Sequence, residues 1–342
     1  METQSEVKSI FHALSLSSQN SLLAELLQEQ ELQGKVLLEA NKEINQQRKK
    51  KPCPHCESKK THKRGKQKGV QMYRCTDCKK WYSETTGTAL YDIKLKSKWQ
   101  SYLSCMEKGM PIKKIAKELE ISIQTSFDWR HKILSSLAQF TPERLSDEIE
   151  CDELELALNE KGSKALTRKP RKRSSDFKRN QGKGVSTTVQ VVTAVSRNGD
   201  KILKAVESKR LSKEEIAKVL DGKLAENSTL ITDKHPSYKA YASKNSTIKH
   251  KQLLAKDHVD KKDKSIHLQK VNNVHSQLRG FLKPFNGVSS KYLQNYLNWY
   301  AYVGQIQNSK TTLKQWFLAM LITDQAYTLF ELFKNNAVII RT

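Results

Sequence analysis

Two sets of residues in this chain have the types and spacing to do chemistry. The first is Cys53, Cys56, Cys75 and Cys78, two CxxC pairs separated by 18 residues in "CPHCESKKTHKRGKQKGVQMYRCTDC". Each CxxC turn aims two sulfurs at one tetrahedral ion, and the intervening hairpin returns the chain for the second pair, which is the grammar of a four-thiolate zinc site. His55 and His62 lie close in sequence, but four thiolates already close the coordination shell. With no position left for water, the zinc is expected to be structural. The second set is Asp152 in "IECDEL" and Asp233 in "LITDKHPSY", each at the end of a short apolar run. Two carboxylates a few ångströms apart offer the hard oxygen ligands that magnesium or manganese prefers. Such a pair suits hydrolysis or transfer at a phosphodiester.

The elements around the aspartates must bring them together. "VSTTVQVVTAVS" is a β-rich run, Gly199 turns it, and "KILKAVES" continues the hairpin. "SKEEIAKVLDGKL" reads as an amphipathic helix with a capping box, Ser212 at the N-cap and Glu215 three residues on. "STLITD" is the next strand; "VNNVHSQLRGFLKPF", as far as Pro284, and "KYLQNYLNWYAYVGQI" are helices. The expected order is a strand with Asp152, a hairpin, a helix, a strand with Asp233, then helices. A mixed sheet in that order sets the two acids side by side, an RNase H-like arrangement.

Upstream, "GMPIKKIAKELEISIQTSFDWRHKIL" has the pattern of a helix-turn-helix. Pro111 opens the first helix, with Ile112, Ile115, Ala116 and Leu119 on one apolar face. Ser122 caps a second helix running through Trp129 to about Leu134. In DNA-binding versions the start of that second helix reads bases in the major groove. Here those residues are Gln124, Thr125 and Ser126, with Arg130 a turn later. Cys105, in the preceding helix, reads as a small core residue. Residues 160–184 carry ten Lys or Arg and almost no apolar side chains, an exposed segment whose Arg171 and Arg173 suit phosphates. Residues 1–45 place leucines at helical spacings of three and four, and "QQRKKK" follows as a basic linker.

The whole chain agrees with a nucleic-acid partner. Its 342 residues carry 61 Lys and Arg against 36 Asp and Glu, a formal charge of +25 spread over several blocks. A polyanion preference follows, by release of counterions from phosphates. No basic amphipathic helix with an aromatic face points to a membrane surface, and no apolar stretch reaches spanning length. The N-terminus does not read as a signal peptide, so a cytoplasmic protein with reduced cysteines is expected.

From the cysteine pairs to about Tyr302 the chain resembles the ISXO-type insertion-sequence transposases of bacteria. The resemblance rests on "CPHC…YRCTDCKKWYSETTGTAL", "IECDEL", "LITDKHPSY" and the long block "HLQKVNNVHSQLRGFLKPFNGVSSKYLQNYLNW". It implies an RNase H-like α/β catalytic core behind a zinc ribbon, and a magnesium- or manganese-dependent enzyme that cuts and joins double-stranded DNA. Residue by residue, the first and second acids carry over to Asp152 and Asp233. The third position departs from the usual acid: Asn272 stands there, and His275, one turn further along, is the alternative candidate for the third ligand. Arg279 takes the place of a lysine that follows the acid in many relatives. His267 matches the motif's histidine; it and His250 otherwise read as packed side chains. The domains then run 1–46 (helical arm), 47–90 (zinc ribbon), 91–137 (helix-turn-helix), 138–310 (catalytic core) and 311–342 (helical tail). Transposases act on paired ends, so a homodimer or larger oligomer on DNA is expected. The rival reading is a DNA-binding regulator that has lost catalysis, which the Asn at the third position favours. A zinc-ribbon RNA-binding protein leaves the two aspartates unexplained.

Overall fold

A computed structural model gives the architecture. It describes residues 9–15, 18–19, 52–67, 70–93, 95, 98–163, 166, 188–206, 211–254, 259–308, 326–327 and 330. Most of the expected N-terminal arm and C-terminal tail, and Arg171 and Arg173, lie outside these residues. The chain forms two compact units, residues 1–100 with 313–322 and residues 101–312 with 323–342. Among the described residues no helix is long and apolar enough to cross a membrane.

The first unit holds an antiparallel sheet of β1 (Thr61–Gln67), β2 (Val70–Cys75) and β3 (Trp81–Ser83). Alternation in "VQMYRC" divides its two faces. Tyr73 and Tyr82 point inward and stack at 5.3 Å beside Cys53 and Cys75, while Arg74 points the other way. Gly65, at φ +74°, lies inside the register shift of β1 between Lys63 and Lys66. A residue with a Cβ rarely adopts that left-handed conformation.

Helix α1 (Trp99–Glu107) leads into the second unit, followed by α2 (Ile112–Glu118) and α3 (Ile123–Ser136). The expected cap is present: Thr125 N donates to Ser122 Oγ at 2.9 Å. Ile115 and Ala116 are buried, and Ile112 and Leu119 half-buried, so the first of this helix pair turns one face inward.

The rest of the unit is a five-stranded sheet in the order β6-β5-β4-β7-β8, made of β4 (Glu148–Ala157), β5 (Thr188–Ser196), β6 (Lys201–Val206), β7 (Thr229–Asp233) and β8 (Lys249–Leu253). The β4-β5-β6 ladders are antiparallel, and β7 and β8 continue parallel to β4. Helices α4 (Lys213–Leu220) and α5 (Pro236–Ala242) cover one face, α6 (Gln269–Leu282) and α7 (Leu293–Asn308) the other. The Ser212–Glu215 capping box forms as expected, with Ser212 N donating to Glu215 Oε2 at 2.7 Å. The structure adds β8 and α5 to the expected order. β8 is an edge strand reading Lys-His-Lys-Gln-Leu, polar and half-exposed, so it lacks the apolar alternation that marks a strand in sequence.

Candidate active site

β4 alternates across the sheet, and that alternation sorts its acids. Ile149 and Cys151 pack on the α4–α5 side, Leu154 on the α6 side. Asp152 therefore faces α6, and Glu153 faces α5, where the Tyr238 hydroxyl donates to its Oε2 at 3.0 Å. The parallel register pairs Glu148 with Thr229, Ile149 with Leu230 and Glu150 with Ile231. Continued two residues, it sets Asp152 beside Asp233. Ile231 shares the α6-side core with Leu154, so Asp233, two residues on, faces the same way. Asp233 Oδ1 also accepts from His235 N at 2.9 Å and orders the turn into α5.

Burial pushes the Asp152 carboxyl up to about 7, and the negative charges of Glu153 and Asp233 add to it. A carboxyl crowded by like charge and removed from water favours whatever neutralises it, a proton or a cation. Across from it, the buried stripe of α6 is Val271, Val274, His275 and Leu278. His275 Nδ1 stands 4.0 Å from Asp152 Oδ2, and its buried Nε2 has no hydrogen-bond partner. Burial, with the Arg279 charge, holds its imidazole down at about 4, so it is neutral and free to act as a ligand at neutral pH. Asn272 and Arg279 are exposed on the same helix. Among the described residues, the four cysteines are the only set of three or more His, Cys, Asp or Glu ligand atoms mutually within 4.8 Å. Asp152, Asp233 and His275 thus share a face without closing around one point. The two carboxylates suit divalent magnesium or manganese, which take oxygen ligands, while the imidazole nitrogen is the poorer ligand for either.

One functional group escaped the sequence reading. Glu150, two residues before Asp152 on the same face, is fully buried. Its Oε2 accepts from Val271 N at 3.0 Å, in the first turn of α6. Its Oε1 meets Arg197 and lies 3.1 Å from His267 Nδ1. Arg197 also donates to Glu148 Oε2 at 2.9 Å and to Ser265 O at 2.7 Å. The N-cap of α6, Leu268, has no side-chain cap, and a carboxylate from the sheet supplies the anion that the helix N-terminus favours. Glu150 thereby fixes the helix carrying His275 against the strand carrying Asp152. The only signal in the sequence was an acid at an inward position of a buried strand. Glu150→Ala should destabilise the second unit by about 3 kcal/mol, because it removes the buried carboxylate shared by Arg197, His267 and the first turn of α6. Urea denaturation would check this, and an unchanged midpoint would refute the clamp.

In the first unit, Cys53 Sγ lies 3.7 Å from Cys78 Sγ and Cys56 Sγ 3.6 Å from Cys75 Sγ. A tetrahedral ion with zinc–sulfur bonds of about 2.3 Å requires sulfur separations of about 3.8 Å, so the four cysteines fit zinc. Glu57 and Lys79, each directly after a CxxC pair, take left-handed φ values of 58° and 60° that turn the chain sharply around the sulfurs. Backbone N–H groups of Cys78, then Asp77, lower the Cys75 thiol to about 7, against the opposing effect of burial.

The residues expected to touch DNA divide. Gln124 is exposed at the start of α3, its amide donating to Asp128 Oδ1 at 2.8 Å, and Thr125 is half-buried beside it. Ser126 and Arg130 correct the expectation, since both are fully buried. Ser126 Oγ donates to Ile112 O at 3.0 Å and joins the two helices. Arg130 donates to Met110 O at 2.7 Å and lies over the rings of Trp299, at 4.9 Å, and Phe285, at 5.6 Å. Helical periodicity puts both on the inward face of α3, and a basic side chain is absorbed there by aromatic stacking.

A family model described as the ISXO2-like transposase domain matches residues 144–303. Two solved structures are similar over 69% of this chain and 76% of theirs. One is "Crystal structure of a pre-cleavage Mos1 transpososome", at 10% identity and a TM-score of 0.27. The other is "Crystal structure of the Mos1 Strand Transfer Complex", at 11% and 0.28. Both superpositions are too loose to define a shared fold. No curated protein matches significantly.

Proposed function

Because residues 144–303 belong to the ISXO2-like transposase domain family, we propose that the chain is an insertion-sequence DNA transposase, cytoplasmic and oligomeric on DNA, that binds the ends of its element and cuts and joins them by hydrolytic nicking and transesterification. The observation that carries the chemistry is the parallel register of β4 and β7, which sets Asp152 and Asp233 on one face opposite His275. These three residues would hold magnesium or manganese, with Asn272 at the rim. When bound, the metal supplies activation of the attacking hydroxyl and charge neutralisation at the leaving oxygen. The protein's own part is to pair the carboxylates and fix α6 through Glu150, while exposed Arg279 offers a fork for a phosphate. The test is direct: purified protein, a duplex carrying an element end, and magnesium or manganese should yield strand cleavage at the end.

End binding falls to α2–α3, read as a helix-turn-helix with Gln124 and Thr125 toward the bases. It should be steeply salt-sensitive, with affinity falling roughly 10³-fold between low and moderate salt as several phosphates are neutralised. Anisotropy titrations at stepped salt would measure the slope, and a flat response would count against the DNA reading. Gln124→Ala should alter sequence preference more than overall affinity. The regulator reading is favoured by one observation, the uncharged and exposed Asn272 at the third position. It prevails if the protein binds ends and never cuts them with either metal.

A further inference from the structure

The outer face of the first unit's sheet carries a group that neither the zinc site nor the aspartates use. Cross-strand register aligns His62 with Arg74 and Arg74 with Trp81, one row on the face opposite the stacked Tyr73 and Tyr82. Trp81 is 54% exposed, whereas Trp99, Trp129 and Trp299 are at most 5% exposed. The Arg74 guanidinium sits 5.9 Å from the Trp81 ring centroid, with Nε donating to Lys79 O at 3.4 Å. Residues 57–81 hold nine Lys or Arg against two acids. One of those acids, Asp77, already accepts from Ser58 Oγ at 2.7 Å.

We infer that this face binds single-stranded DNA, with an unpaired base stacked on Trp81 and a flanking phosphate on Arg74, which shares its row within the basic stretch 57–81. The chemistry selects the partner. A basic strand surface attracts the polyanion, and an open indole face offers a base its π-surface, in the way flat sheet platforms hold single strands. A duplex keeps its bases stacked on one another and presents no such face to Trp81. The choice of DNA over RNA rests on the transposase reading; the platform itself does not depend on Asp152 or Asp233.

The experiment uses the full-length, zinc-loaded protein with labelled oligothymidylate, oligouridylate and a duplex. Trp81→Ala should weaken oligothymidylate binding about tenfold, the worth of one stacked base, and change duplex binding less than twofold. Trp81→Phe should keep most of the affinity. Bound oligothymidylate should shield the wild-type protein's tryptophan emission from iodide, and this protection should be lost in Trp81→Phe. That arm stands even if Trp81→Ala sheds its zinc. Equal single-strand affinity in wild type and Trp81→Ala, equal loss on duplex, or absence of iodide protection each overturns the inference. Tighter binding of oligouridylate overturns the assignment to DNA. Element ends still cut while oligothymidylate goes unbound would remove this inference alone and leave the transposase reading intact.

Discussion

Replacing Asp152 or Asp233 by asparagine is expected to lower cutting and joining of element ends by several orders of magnitude and to leave end binding and zinc content near normal. Each substitution removes a charge from a site proposed to hold cations at a phosphodiester. Asp152 does not support the core: its carboxyl is destabilised where it lies, pushed up to about 7 by burial and by Glu153 and Asp233. The sign of its linkage follows. A carboxyl raised from its usual 3.8 to about 7 stabilises the metal-free fold fully below the lower value, and that contribution is lost as pH rises to about 7. Asp152→Asn should therefore flatten the fall in metal-free stability over that range, and magnesium should oppose the fall in the wild type. Thermal melts across pH, with and without the metal, measure both. His275→Ala is expected to cost more cleavage than Asn272→Ala, since His275 stands 4.0 Å from Asp152 and Asn272 is exposed. The reverse order would return the third position to Asn272.

Stripping zinc is expected to unfold the first unit while the second keeps its transition. The ribbon's buried cluster is Cys53, Tyr73, Cys75 and Tyr82, with Cys78 against it. So small a core does not offset the chain entropy of three short strands. Structural zinc contributes about 10–16 kcal/mol in comparable small domains. Elemental analysis should find about one zinc per chain, and a strong chelator should open residues 53–83 to protease. A metal-free protein equally protected there would refute the site. Cys75→Ser should reproduce the chelated state, because Cys75 is buried in that cluster.

The parts that could be read in the sequence share a property: their physics is local. A CxxC turn, a capping box at Ser212 and Glu215, Ser122 before α3 and the β-branched run of β5 each fix their structure within a few residues. Asp152 and Asp233 became a pair only through strand order, which the alternation of strand and helix was enough to suggest. What stayed hidden depends on contacts between distant segments. β8 is a strand because β7 pairs with it, not because Lys-His-Lys-Gln-Leu prefers one. Ser126 and Arg130 sit among polar and basic neighbours in sequence, and only the packing of α3 on α2 and α7 takes them inside. Glu150 looked like one more acid in "IECDEL", since its partners Arg197, His267 and Val271 lie 47 to 121 residues away.

That last separation bears on the order in which the protein acquires its structure. α6 begins at a residue with no side chain to cap it, and the acceptor that completes its first turn comes from β4, 121 positions earlier. Local helix signals cannot stabilise that end, so it waits on closure of a long loop, a slow event in a chain rich in non-local pairings. The helix bearing His275 and Asn272 is thus expected to be among the last elements to consolidate. A nascent or partly folded chain would hold its aspartates without the helix that faces them, and the proposed cutting of DNA would require the finished fold.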